Sequence, residues 1–278
     1  MDPKTGIVNT FSLVADGYDN PALRFFSFAG NELAGRLNLR PGESVLDIAT
    51  GTGAFAIVAG QRVRPGGRVQ AIDLTAAMLK KAEANVAKMT LDNIDFHVMD
   101  AEQLEFQSGH FDVIGCSFGL FFLQDMSAAL KSWFRFLKPG GRLMFTSFAP
   151  SALQPMTTML FEDLRAVGLP LRDNETGGSA GRLPSQDFCS SLLSEAGYID
   201  SKSESQQLGF YLGNTEDWWD VVWNAGLRGY LERLSPEQLD ELRARHLPRV
   251  EQLRQAEGIW MDVETWFSGG SKPSAPVQ

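Results

Sequence analysis

Nine consecutive residues constrain the fold of this chain more than any others: Val45-Leu46-Asp47-Ile48-Ala49-Thr50-Gly51-Thr52-Gly53. A short apolar run, Ser44–Ile48, enters from the turn pair Pro41-Gly42 and ends in a glycine-bearing turn. The helical period of Ala54–Val63 follows directly, stopped by Pro65-Gly66-Gly67. Strand, helix, strand is the rhythm of a parallel sheet joined by crossovers. The residues that follow repeat the rhythm. Arg68–Ile72, Ile94–Met99, Phe111–Cys116 and Arg142–Phe148 read as further strands, with helices over Ala76–Met89 and Met126–Leu137. The strands are apolar enough to be covered on both faces, the pattern of a doubly wound α/β sheet.

Outside this region the periodicity is looser. Thr10–Leu37 is aromatic and helical, Leu153–Val167 and Ser185–Glu195 are helical, and Thr215–Ala256 is two helices broken near Ser235-Pro236. Ser201–Leu212 and Ile259–Phe267 are expected as strands, Arg172–Arg182 as a mobile Gly-rich loop, and the chain from Ser268 as a frayed tail. The 278 residues carry 25 basic and 34 acidic side chains, and the imbalance sits in the second half. A polyanion needs a basic footprint, so nucleic acid is not an expected partner. Two cysteines, Cys116 and Cys189, make neither a disulfide framework nor a metal quartet. Met1-Asp2-Pro3-Lys4-Thr5-Gly6 has no apolar signal core, and no run is long enough to span a bilayer, so the expected location is cytoplasmic. Asn174-Glu175-Thr176 spells a glycosylation acceptor, taken as coincidence in that setting.

Three strand ends offer complementary chemistry. Gly51 and Gly53 allow close approach of a ligand to the backbone. Asp73 closes the second strand, where a carboxylate can accept from two vicinal ribose hydroxyls, and Asp100 closes the third, within reach of an adenine amino group. Ligands sit at the carboxyl ends of parallel strands, so the set describes an adenosine site. Gly51-Thr52-Gly53-Ala54-Phe55-Ala56 also fits a dinucleotide fingerprint, which keeps an NAD(P)-dependent oxidoreductase open. Asp47 weighs against two phosphates in that turn and suits the sulfonium and ammonium of S-adenosylmethionine. A non-catalytic adenosine-ligand binding protein is the third reading.

These residues resemble class I S-adenosylmethionine-dependent methyltransferases, and in particular the ubiquinone/menaquinone biosynthesis C-methyltransferase group, which shares the alanine at position 49. Further similar segments are Ala15-Asp16-Gly17-Tyr18-Asp19-Asn20, Ala71-Ile72-Asp73 with Met78-Leu79, and Ala101-Glu102-Gln103-Leu104. Ser117-Phe118-Gly119-Leu120 and Phe136-Leu137-Lys138-Pro139-Gly140-Gly141 complete the set. The resemblance spans about residues 8–150 and implies a seven-stranded, mostly parallel Rossmann-like sheet ending in an antiparallel hairpin. The chain then divides into an N-terminal helical lid (1–40), a cofactor-binding core (41–150), the rest of the sheet with a helical insertion capping the substrate (151–267), and a flexible tail (268–278). S-adenosyl-L-methionine is the implied cofactor. The implied cofactor residues are Tyr18, Asp47, Ala49, Thr50, Gly51, Gly53, Asp73, Leu74, Met78, Asp100, Ala101, Glu102 and Ser117.

Phe121-Phe122 replaces an Arg-Asn pair usual in the quinone enzymes, which points away from a quinone precursor and toward a small apolar or aromatic acceptor. Phe118, Phe121, Phe122 and Trp219 are the candidate substrate residues. Other rings that could wall the pocket are Phe11, Phe25, Phe26, Phe28, Trp218 and Trp223. No catalytic base or metal ligand set stands out. His97 and His110 fall at ordinary strand and turn positions, and His246 lies on the apolar stripe of a late helix.

Overall fold

In the computed structural model, residues 3–171 and 179–274 are described. Seven strands form the central sheet in the order β3-β2-β1-β4-β5-β9-β6. These are β1 (Ser44–Ile48), β2 (Arg68–Asp73), β3 (Ile94–Val98), β4 (Phe111–Ser117), β5 (Leu137–Phe148), β6 (Ile199–Gln207) and β9 (Glu264–Ser271). The first five are parallel; β9 runs antiparallel between β5 and β6. The sheet order reverses beside β1, which pairs with β2 on one side and β4 on the other. That switch point lies at the strand ends carrying the glycine turn and the acids.

Helices cover both faces because their apolar stripes demand it. α3 (Ala54–Arg62) buries Phe55, Ala56 and Ala59, and α5 (Met126–Phe136) buries Ala129, Leu130, Trp133 and Phe136. The start of α5 is fixed by Asp125, whose side chain accepts from the Ala128 amide. α4 (Ala76–Lys88) lies between β2 and β3, with Met78, Leu79, Ala82 and Val86 inward. α7 (Gln186–Glu195) packs on β6 and starts from the expected serine cap, Ser185.

The N-terminal segment forms α1 (Pro3–Val14), a 3-10 turn (Pro21–Leu23) and α2 (Phe25–Arg36). The late region forms α6 (Met156–Ala166), α8 (Thr215–Asn224), α9 (Arg228–Leu231) and α10 (Pro236–Glu251). Capping boxes at Asn214/Asp217 and Ser235/Gln238 set the starts of α8 and α10. These helices are joined by a buried polar network. The Trp218 Nε1–H donates to His246 Nε2 at 2.8 Å, so the ring proton sits on Nδ1, 3.0 Å from Asp163 Oδ2. Burial lowers the His246 pKa, and the ring is fully enclosed: a core histidine.

Two expected strands are broken. Ser201–Leu212 divides into β6 and β7 (Phe210–Leu212), and Ile259–Phe267 into β8 (Ile259–Met261) and β9; β7 and β8 pair as a separate ribbon. The expected flexible tail from Ser268 is corrected by the structure. Ser268–Ser271 is the end of β9, paired with both β5 and β6. Its glycines reflect crowding: a Cβ on Gly269 would lie 2.8 Å from the Leu143 carbonyl oxygen, and one on Gly270 would lie 3.0 Å from the Tyr198 Cβ. Lys272 then anchors the exit by donating to the Phe134 and Leu137 carbonyls. Of the expected loop Arg172–Arg182, and of the Asn174-Glu175-Thr176 sequence, residues 172–178 lie outside the described residues; Ser179–Arg182 is a 3-10 turn. Among the described residues, no helix is long and apolar enough to cross a membrane.

Candidate active site

The carboxyl end of β1 places Ala49 at φ 57°, Gly51 at 56° and Gly53 at 92°, so the chain turns through three left-handed residues before α3. Ala49 is a non-glycine in that conformation, a local cost of the kind held at functional sites. Phe118, after β4, is another at φ 54°. The two strained turns press together across Gly119, where a Cβ would sit 2.6 Å from the Ala49 Cβ.

Asp73 ties the second strand to this turn. One carboxylate oxygen accepts from the Gly51 amide at 2.9 Å and the other from the Thr75 amide at 2.8 Å. Each oxygen keeps a lone pair, so the carboxylate can still take a pair of hydroxyl donors. Burial raises its pKa against those hydrogen bonds. Asp47 lies deeper, beneath the turn and only 1% exposed. Its Oδ2 accepts from the Thr50 hydroxyl at 2.6 Å, while Oδ1 is buried without a hydrogen-bond partner. Burial pushes this carboxyl up to about 7, and the nearby Asp73 charge adds to the shift.

Two clefts meet at this edge. The first, about 770 Å³ with its open mouth, is lined by Asp73, Leu74, Met78, Asp100, Ala101 and Glu102. Ile7, Phe11, Phe118, Phe122 and Leu123 add apolar lining to the same cleft. The second, about 1170 Å³, includes Asp47, Thr50, Asp19, Asn20 and Arg24. Tyr18, Ala49, Gly51 and Ser117 border both. Tyr18 stacks on Phe26, with ring centroids 4.8 Å apart, and burial raises its phenol pKa, aided by the charges of Asp73 and Asp19. Asp19 holds the segment in place by accepting from the Thr52 hydroxyl and the Asn85 amide.

The structure thus brings most of the sequence-derived residues to one edge. Gly53 lines neither cleft and serves as the N-cap of α3. Phe122 lines the first cleft and meets Phe11 edge-to-face at 5.3 Å. Phe121 does not line it: the ring is 3% exposed and packs toward Phe148 and Phe122. Trp219 is also absent from both linings, stacked instead with Trp223 and covered by Arg243. Phe25 and Trp218 are core, and Phe28 is exposed.

Sequence reasoning missed Lys4 and Ile7. Lys4, Ile7 and Phe11 recur at helical spacing on α1 and all face the cleft. The Lys4 ammonium lies 2.6 Å from Asp100 and 2.7 Å from Glu102, whose charges raise its pKa through these hydrogen-bonded pairs. The N-terminal helix is therefore pinned to the third-strand acids. The i, i+3, i+7 spacing was a usable signal, but nothing local says which face of an isolated amphipathic helix meets the sheet. Among the described residues, no group of three or more His, Cys, Asp or Glu could hold a metal ion.

Comparison with known proteins agrees with this geometry. Residues 8–211 match the ubiE/COQ5 methyltransferase family. The chain is 27% identical over 237 residues to nocamycin O-methyltransferase of Saccharothrix syringae, covering 82% of this chain and 85% of that protein. It is 32% identical over 209 residues to the ubiquinone/menaquinone biosynthesis C-methyltransferase UbiE of Pasteurella multocida, covering 69% and 77%. Among solved structures, the YcgJ protein of Bacillus subtilis has the same fold, with a TM-score of 0.59 at 19% identity over 89% of this chain and 99% of that one. A glycine turn flanked by strand-end acids and a family match over most of the chain lead to one assignment: the protein belongs to the ubiE/COQ5 methyltransferase family and is an S-adenosylmethionine-dependent methyltransferase.

Proposed function

We infer that the protein transfers a methyl group to a small apolar or aromatic metabolite held in the first cleft beside Phe122. The observation that carries this reading is the Phe122 ring, which joins Phe11, Ile7 and Leu123 as apolar lining of the same cleft that holds the strand-end acids. Fully burying an aromatic acceptor ring among such side chains is worth about 1.5–3 kcal/mol. The relatives include an enzyme named for nocamycin O-methylation and enzymes named for quinone C-methylation, so family membership alone leaves the accepting atom open.

The residues fit S-adenosylmethionine. Asp73 could accept from ribose hydroxyls, Asp100 and Ala101 would meet the adenine, and Leu74 and Met78 would offer apolar contact. The unpartnered Asp47 oxygen suits a cation, whether taken directly or through a water. Bound there, the cofactor would supply an electrophilic methyl group on a sulfonium. The protein's tasks are alignment and exclusion of water. Tyr18, bordering both clefts, would pack against the bound cofactor, and α1, pinned by Lys4, would close the roof. A dinucleotide oxidoreductase is disfavoured by the buried acid under the turn and by the family match.

Thermal unfolding tests the cofactor half. A ligand at 100 times its dissociation constant adds about 2.7 kcal/mol, a shift on the order of 5 °C for a chain of this size. S-adenosylhomocysteine should give that shift and NAD none; the reverse would overturn the reading. Labelled methyl transfer into apolar extract fractions, lost in Phe122→Ala, tests the acceptor half; equal labelling by wild type and variant counts against it.

A further inference from the structure

The connection between β4 and α5 contributes Phe118, Phe122 and Leu123 to the cleft, yet little of it belongs to a regular element. Leu120–Phe122 is a single 3-10 turn, and Leu123 and Gln124 follow without helical or strand pairing before the Asp125 cap. Carbonyls at the end of so short a turn have no partners within it. Three carbonyls of the connection, one in the turn and two after it, are taken by one side chain. Arg182 donates through Nη1 to the Phe121 carbonyl at 3.0 Å and to the Leu123 carbonyl, and through Nη2 to the Gln124 carbonyl at 3.0 Å. Its backbone is anchored by the buried Leu183 and the Ser185 cap of α7. From the other end, the Asp125 amide donates to Glu102 Oε1.

We propose that Arg182 is a positioning residue for methyl transfer: its guanidinium clamps the Phe121–Gln124 backbone so that Phe122 and Leu123 face the acceptor. This rests on the acceptor site proposed above. Turning the Phe121 carbonyl away rotates the peptide plane that leads into Phe122 and carries its ring with it, while the Leu123 and Gln124 carbonyls fix the residues that follow. The planar fork matters, because it presents several N–H groups in fixed directions, whereas a lysine ammonium is a point donor on a flexible stem. Arg182 itself lines neither cleft, so its effect on the reaction passes through the turn.

Backbone hydrogen exchange reads the clamp directly. The Phe122 and Leu123 amides bond to the Gly119 and Leu120 carbonyls at 3.1 Å. In Arg182→Ala their exchange should accelerate on the order of tenfold, with Arg182→Lys intermediate and the β4 amides unchanged. Binding of 1-naphthol to the protein saturated with S-adenosylhomocysteine should weaken about tenfold in Arg182→Ala, recover partly in Arg182→Lys, and leave S-adenosylhomocysteine affinity as in wild type. Unchanged exchange at Phe122 and Leu123 overturns the clamp. Faster exchange with unchanged 1-naphthol binding, while Phe122→Ala loses it, overturns the positioning role. If wild type does not bind 1-naphthol, or Phe122→Ala binds it as wild type does, the acceptor site itself is refuted and the positioning role falls with it, even where exchange accelerates.

Discussion

Asp47→Asn should make the ligand-free protein more stable at neutral pH while making it a poorer cofactor binder. Asp47 is 1% exposed, has one unpartnered oxygen, and is pushed by burial from 3.8 up to about 7. A shift of that size corresponds to about 4 kcal/mol of preference for the protonated form in the folded state. Because the folded value is raised above the unfolded one, the carboxyl contributes no pH dependence below about pH 4. Stability then falls as pH rises toward 7, where the unfolded chain ionises and the folded one resists, and is level above that. Asparagine removes the ionisation and can still accept from the Thr50 hydroxyl, but its amide hydrogens then need a buried acceptor. That deficit cancels part of the gain, leaving about 1–3 kcal/mol at pH 8. Unfolding followed by circular dichroism from pH 4.5 to pH 8.5 should show the Asp47→Asn advantage growing with pH by several degrees. Calorimetric titration at pH 8 should show S-adenosylhomocysteine binding at least about tenfold weaker, since a charged hydrogen bond is worth about 1.5–3 kcal/mol. An advantage independent of pH would refute the burial argument, and unchanged affinity would refute a role for this carboxylate in holding a cation.

Asp73→Ala should weaken S-adenosylhomocysteine binding at least about tenfold, because it removes both acceptor positions and frees the Gly51 amide; unchanged affinity in a folded variant places the ribose elsewhere. Phe121→Ala should cost about 3–5 kcal/mol in denaturant unfolding, as expected for a core ring, whereas Phe122→Ala should cost less and act on the acceptor; equal destabilisation would contradict the division of the pair. The excess of 34 acidic over 25 basic side chains predicts no salt-dependent retention on duplex DNA, and retention at moderate ionic strength would contradict it.

The order of elements from β1 to β5 and the strand-end positions of Asp47, Asp73 and Asp100 were legible in the sequence. They depend on local rules: apolar runs of strand length, glycine turns into helices, and acids closing strands. The same rules failed where a residue's meaning depends on a distant partner. Ser268–Ser271 looks like a tail because glycine and serine carry no strand preference, yet two neighbouring strands, β5 and β6, require small residues between them. Phe121 and Phe122 are indistinguishable in sequence. The 3-10 turn sends one ring into the core and the other to the cleft. Lys4 and Arg182 act 96 residues or more, and about 60 residues, from the groups they hold, and no periodicity records such pairings. Sequence alone therefore determined which edge of the sheet gathers the glycine turn and the acids, because backbone conformation and strand ends are local. Tertiary structure decided which side chains complete that edge, because long-range packing selects among rings and charges that are locally equivalent.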